Sequence, residues 1–191
     1  MAAERPDLAA ILAPILERVD VAQRPLLIAL AERMAAVRYR GWASQVTDAA
    51  ERAGLRACAD REEEIARRVE ALTPDAASLQ RQILADNPGL EEVNRSLFAG
   101  RPLDEQLVVQ ASGERLGAAT WRSFARGAPS AEVRETFLGC ATLEEESAAY
   151  LESMIGSRAR PETHVCAPGE AWERGKRCDR DLGNLSTEPS G

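Results

Sequence analysis

Four glutamates sit among apolar or small residues at helical spacing: Glu32, Glu62, Glu114 and Glu144. Three, four and seven residues from Glu62 lie Leu55, Cys58, Ala59, Ile65, Ala66 and Val69; around Glu144 lie Phe137, Cys140, Ala141, Ser147, Ala148 and Leu151. Glu32 has Ile28, Ala29, Ala35, Ala36 and Tyr39, and Glu114 has Ala111, Gly117, Ala118 and Trp121. Residues at these offsets share one helix face, so all four acids are expected to point into a core. Carboxylates that converge in a low-dielectric interior repel one another and must take up protons or cations. Two divalent cations would cancel four negative charges. Hard oxygen ligands suit iron, manganese, magnesium or calcium, and nitrogen ligands would tilt the choice toward iron or zinc.

The elements that must position these acids are written twice. Aligned without a gap, residues 29–70 match residues 111–152 at 15 of 42 positions. Glu32-Arg33 recurs as Glu114-Arg115, and Cys58-Ala59 with Glu62-Glu63-Glu64 recurs as Cys140-Ala141 with Glu144-Glu145-Glu146. Thr47-Asp48 with Glu51 following, and Gly127-Ala128-Pro129-Ser130 in the second copy, are helix breaks followed by capping residues. Each break falls midway between two of the acids. In an antiparallel helix pair, residues equally far from the turn lie at one height, here on the order of 20 Å from it. The duplication therefore predicts a level set of four carboxylates.

Helices are expected over about 25–46, 49–72 and 131–155, with the second copy's first helix preceding the break near Pro129. Between the repeats, Thr73-Pro74-Asp75 starts a shorter helix that Asn87-Pro88-Gly89 stops, and a helical turn at 93–98 ends at Gly100-Arg101-Pro102. Some 30 residues of this kind suit a long crossover between two hairpins. Residues 7–19 form an accessory helix that Pro14 should kink or interrupt. The expected organisation is an accessory helix within 1–22, a helical bundle over 23–156 and a disordered tail over 157–191.

Composition favours helix throughout. At 191 residues and 45% hydrophobic content the chain can bury one sizeable core, and Ala, Leu, Glu and Arg dominate. Net charge is -7 with basic residues scattered among acidic ones, which argues against nucleic acid as a partner. No apolar run is long enough to span a membrane, and the N-terminus does not read as a signal peptide. Four cysteines are too sparse for a disulfide framework, so a reduced, cytoplasmic setting is the simpler expectation. Cys58 and Cys140 read as small buried residues or soft ligands, and Tyr39 and Trp121 as core packing or donors near a metal. In the tail, His164, Cys166 and Cys178 offer three metal ligands at unfamiliar spacing, the bland alternative being a tether.

The duplicated hairpin with its paired acids resembles the ferritin-like superfamily, particularly the rubrerythrin and quinone-hydroxylase types, over residues 26–156. The resemblance implies an all-α, ferritin-like four-helix bundle of two duplicated hairpins with a long crossover. That family draws one Glu from the first helix of each pair and a Glu-x-x-His from the second, which together hold two irons. Glu32 and Glu114 match the first-helix positions, and Glu62 and Glu144 the bridging ones. Three residues beyond these, where the family has His, this chain has Ile65 and Ser147, and its single histidine lies in the tail. The expected function is carboxylate-bridged binding of iron or manganese, with oxidase or peroxide-related chemistry, in a homo-oligomer such as a dimer. The alternative is a metal-free ferritin-like scaffold that acts as an interaction or structural protein, its acids neutralised by protons or by Arg33 and Arg115. The tail run Asp181-Leu182-Gly183-Asn184-Leu185-Ser186 resembles short tails by which some ferritin-like proteins enter protein shells.

Overall fold

The computed structural model describes residues 6–159, and within them every regular element is helical. Seven α-helices follow in order: α1 (Leu8–Arg18), α2 (Arg24–Gln45), α3 (Ala49–Glu70), α4 (Ala76–Asp86), α5 (Leu90–Ser96), α6 (Leu103–Arg126) and α7 (Ala131–Arg158), with a 3-10 turn at Val21–Gln23 before α2. The expectations for residues 160–191, including His164, Cys166, Cys178 and the run 181–186, lie outside the described residues. No helix among the described residues is long and apolar enough to cross a membrane.

The breaks read from the sequence are where the chain turns. Asp48 caps α3 by accepting from the Glu51 N–H at 2.8 Å, and Ser130 caps α7 by accepting from the Val133 N–H at 3.2 Å. Asn87 closes α4 by donating its side-chain amide to the Ile83 carbonyl at 2.9 Å. Gly100, between α5 and α6, has φ +73°, a left-handed conformation that glycine adopts without steric cost. Pro14 does not interrupt α1 as expected. It sits mid-helix, and α1 continues to Arg18, anchored by buried Leu8 and Ile15 and capped by Asp7. A proline removes one backbone hydrogen bond, which burial of an apolar face can offset.

Side-chain bridges set how the long helices run. Arg33 pairs with Glu70 and Arg40 with Glu63, advancing along α2 while receding along α3. The pairs Arg115–Glu152 and Arg122–Glu145 repeat this 82 residues later between α6 and α7. Arg38 to Gln110 and Trp42 to Gln106 make α2 antiparallel to α6. Ser147 to Glu62 and Arg158 to Glu51 do the same for α3 and α7.

The core lies among these four helices in two apolar clusters. One gathers Ala29, Ile65, Val69, Trp121, Phe137 and Ala141; the other gathers Ala36, Tyr39, Leu55, Ala59, Ala111 and Leu151. Along each helix the boundary between the clusters falls at one residue: Glu32 between Ala29 and Ala36, Glu62 between Ala59 and Ile65, Glu114 between Ala111 and Ala118, and Glu144 between Ala141 and Leu151. A polar layer therefore divides an otherwise apolar core.

Candidate metal centre

All four acids expected to face inward are buried. Glu62 is fully enclosed, Glu114 and Glu144 expose 1% and 2%, and Glu32 exposes 8%. Each projects from a different helix, so the layer cannot form until α2, α3, α6 and α7 have packed. Glu32, Glu62 and Glu144 each offer a carboxylate oxygen within 4.8 Å of the other two. Two oxygens that bind one cation at about 2.0–2.6 Å can be no more than roughly 4–5 Å apart, so this spread suits a single shared ion.

Glu114 stands beside that trio, held by other hydrogen bonds. Its Oε1 accepts from the Tyr39 hydroxyl at 2.7 Å and from the Gln110 amide at 2.6 Å. Its Oε2 is buried with no partner, as is Oε2 of Glu62. The other Glu62 oxygen accepts from the Ser147 hydroxyl at 2.9 Å, and Ser147 in turn accepts from Arg61 at 3.1 Å. Glu144 Oε1 accepts from the Trp121 indole N–H at 2.9 Å. Tyr39 and Trp121 thus both pack in the core and orient acids.

Burial is the main force on these groups. It raises the Glu32 carboxyl from 4.5 to about 8, and the neighbouring Glu114 adds to the effect. Burial, followed by repulsion from other members of the layer, holds Glu62 and Glu144 well above the ordinary carboxylate range. The same desolvation lifts the Tyr39 hydroxyl and pushes the Cys58 and Cys140 thiols up to about 12. Those thiols are therefore protonated at neutral pH, and neither joins the cluster of potential ligand atoms among the described residues.

Arg33 and Arg115, considered above as neutralising groups, turn outward to Glu70 and Glu152. They are stem-flexible cations on the helix flank with acids of their own within reach, so the layer receives no compensation from them. Arg38 lies closer in, packed 3.9 Å over the Phe98 ring and donating to Gln110 and Asn94. Space for the acids is also built into the chain. A Cβ on Gly117 would stand 2.5 Å from Oε1 of Glu144, so only glycine fits there without displacing that carboxylate.

Sequence spacing located the four acids and offered Tyr39 and Trp121 as packing or donors, but it did not find Gln110 or the donor role of Ser147. Gln110 precedes Glu114 by one helical turn and Ser147 follows Glu144 by three residues, signals that could be read only as polar residues on a core face. At Ile65 and Ser147, a fully buried isoleucine and a hydroxyl already bonded to Glu62 stand where the resemblance calls for imidazoles. Compared with known protein families, curated proteins and solved structures, the chain matches none.

Proposed function

We propose that this chain is a ferritin-like four-helix bundle, made of the duplicated hairpins α2–α3 and α6–α7 joined through α4 and α5, and that it holds one or two divalent cations. The ligands are Glu32, Glu62, Glu114 and Glu144; hard oxygen donors suit iron, manganese, magnesium or calcium, and the ferritin-like resemblance favours iron or manganese among them. The observation that carries this reading is the pair of buried, unpartnered oxygens, Oε2 of Glu62 and Oε2 of Glu114, in a layer where three carboxylates already converge within 4.8 Å. A buried carboxylate oxygen without a partner costs a few kcal/mol, and a bound cation removes that cost.

A bound metal would supply Lewis-acid or redox chemistry, which the reading takes as oxidase or peroxide-related activity. The chain's residues orient the ligands. Tyr39 and Gln110 hold Glu114, Trp121 holds Glu144 and Ser147 holds Glu62, while the apolar clusters flank the layer on either side along the helices. A reducing, cytoplasmic setting and a homodimer complete the reading. The free, buried Cys58 and Cys140 support the first, and exposed Val37 and Leu138 on the long helices support the second.

Metal analysis of protein purified without chelator is the deciding test, with one or two equivalents expected in the parent chain and a marked loss in Glu62→Ala and Glu144→Ala. A metal-free parent whose uptake those changes do not alter would sink the reading. One observation favours the metal-free scaffold instead: the Ser147 hydroxyl already serves Glu62. In that case Glu62→Leu would be neutral or stabilising, since an apolar side chain would replace an acid kept only as a burden.

A further inference from the structure

A slot of about 230 Å³ runs between α1 and the α2–α6 pair. Its roof is the apolar face of α1, with Leu8, Leu12 and Leu16, and its floor along α2 is Ile28, Ala31, Glu32, Ala35 and Arg38. Because α2 and α6 are antiparallel with Arg38 bonded to Gln110, the far end of the slot at Ile28 lies level with Thr120 on α6. Ten residues of α2 separate its ends, a length of about 15 Å. The volume exceeds the roughly 150 Å³ of an apolar cavity that holds benzene, so the slot has room for an extended chain of roughly ten carbons with its head group at the Arg38 end.

One end of the slot is cationic. Arg38 donates Nε to Gln110 at 3.1 Å and Nη1 to Asn94 at 2.7 Å, both neutral amide oxygens, and its guanidinium stacks on Phe98. No carboxylate among the described residues lies within salt-bridge distance of it, whereas Arg33, Arg40, Arg115, Arg122 and Arg158 each bridge two long helices through one. Its Nη2 makes no hydrogen bond among the described residues. A desolvated guanidinium favours a bidentate anion over a neutral partner, and a carboxylate matches its fork.

We infer that this slot binds a medium-chain aliphatic carboxylate of about ten carbons, its head on Arg38 and its tail under Leu8, Leu12 and Leu16 toward Ile28. The inference goes beyond the metal reading and does not depend on it. An apolar tail accounts for a roof made only of aliphatic side chains, and the anionic head accounts for a half-buried, slot-lining arginine with no acid within salt-bridge distance. Glu32, Glu114 and Glu144 also line the slot between its ends, so a bound chain passes the carboxylate layer along its tail.

Calorimetric titration of the full-length, metal-free chain with decanoate, 1-decanol and hexanoate tests this directly. Decanoate is expected to bind at least tenfold more tightly than decanol, as a charge-assisted hydrogen bond requires. Each methylene removed toward hexanoate should weaken binding by about fourfold where the tail is fully buried. Arg38→Gln should erase the preference for decanoate and leave decanol binding unchanged. Ala31→Leu, a half-buried position on the slot floor, should weaken both ligands while leaving the melting temperature near that of the parent. Equal affinity for decanoate and decanol, indifference to Arg38→Gln, or no decanoate binding would each overturn the proposal. Glu62→Ala separates the two sites, because loss of metal with decanoate binding retained is the expected result, and loss of both would count against an independent slot.

Discussion

At the scale of single residues, the acid layer works through side chains that are not acids. Glycine at position 117 leaves the volume that the Glu144 carboxylate fills, and the Trp121 N–H fixes which way that carboxylate faces. Gly117→Ala would drive a methyl into Oε1 of Glu144. We expect it to reduce metal uptake several-fold and to cost about 1–3 kcal/mol of stability, the usual penalty for overpacking a filled core. Metal content and a denaturant melt read on the same sample would check both effects. Tyr39→Phe is gentler. It removes one of two donors to Glu114 without changing shape, so a loss of about 1–2 kcal/mol in chemical denaturation is expected. The sequence left Tyr39 and Trp121 as core packing or donors near a metal without saying which acid each serves, because spacing along one helix carries no information about which residue of another helix it meets.

At the scale of elements, close approach between helices decides how well the layer is assembled. Tyr150 of α7 lies where a Cβ on Gly54 of α3 would be, and its hydroxyl donates to the Glu51 carbonyl at 3.0 Å. Glycine at 54 therefore sets the spacing of α3 and α7, and with it the distance between Glu62 and Glu144. Gly54→Ala should destabilise the chain by about 1–3 kcal/mol even though alanine favours helix by about 1 kcal/mol, and the melting curve would give the sign. A stabilised variant would mean that Tyr150 is free to move aside. The turns were easier to read than this packing. Asp48 and Ser130 cap through local hydrogen bonds three residues on, which a linear pattern displays directly, whereas the Gly54–Tyr150 contact joins residues 96 positions apart.

At the scale of the whole molecule, four acids in one layer link folding, protons and metal. The Glu32 carboxyl lies at about 8 when folded against 4.5 as a model acid, and Glu62 and Glu144 are also raised. Between these values the folded state holds protons that the unfolded chain has released. The stabilising contribution of these groups is thus fully present below pH 4.5 and is lost as pH rises through about 8. Metal-free protein should melt at a lower temperature at pH 8.5 than at pH 5.5, with a slope on the order of 1.4 kcal/mol per pH unit for each such proton. Exposed acids such as Glu63 and Glu64, held below the usual range by their arginines, act in the opposite sense at lower pH, but solvent screens them. A divalent cation must displace the protons of the layer, so manganese binding should release acid into a weakly buffered solution and tighten with pH. A flat thermal profile from pH 5.5 to 8.5, or metal binding without proton release, would contradict this account.

The sequence by itself determined that the chain is helical, where α2, α3 and α7 begin and end to within about three residues, and which four acids turn inward. Each of these follows from short-range physics: a period near 3.6 residues, a capping side chain three residues from its target, and a repeat that can be matched by eye. Only the tertiary structure decided that Glu32, Glu62 and Glu144 converge while Glu114 is engaged by Tyr39 and Gln110. It also decided that Arg33 and Arg115 serve surface acids, and that Arg38 closes an apolar slot under α1. These outcomes depend on the register and separation of helices distant in the chain. Burial then determines what the acids do, because desolvation is set by what surrounds a carboxylate in space and not by its neighbours in sequence.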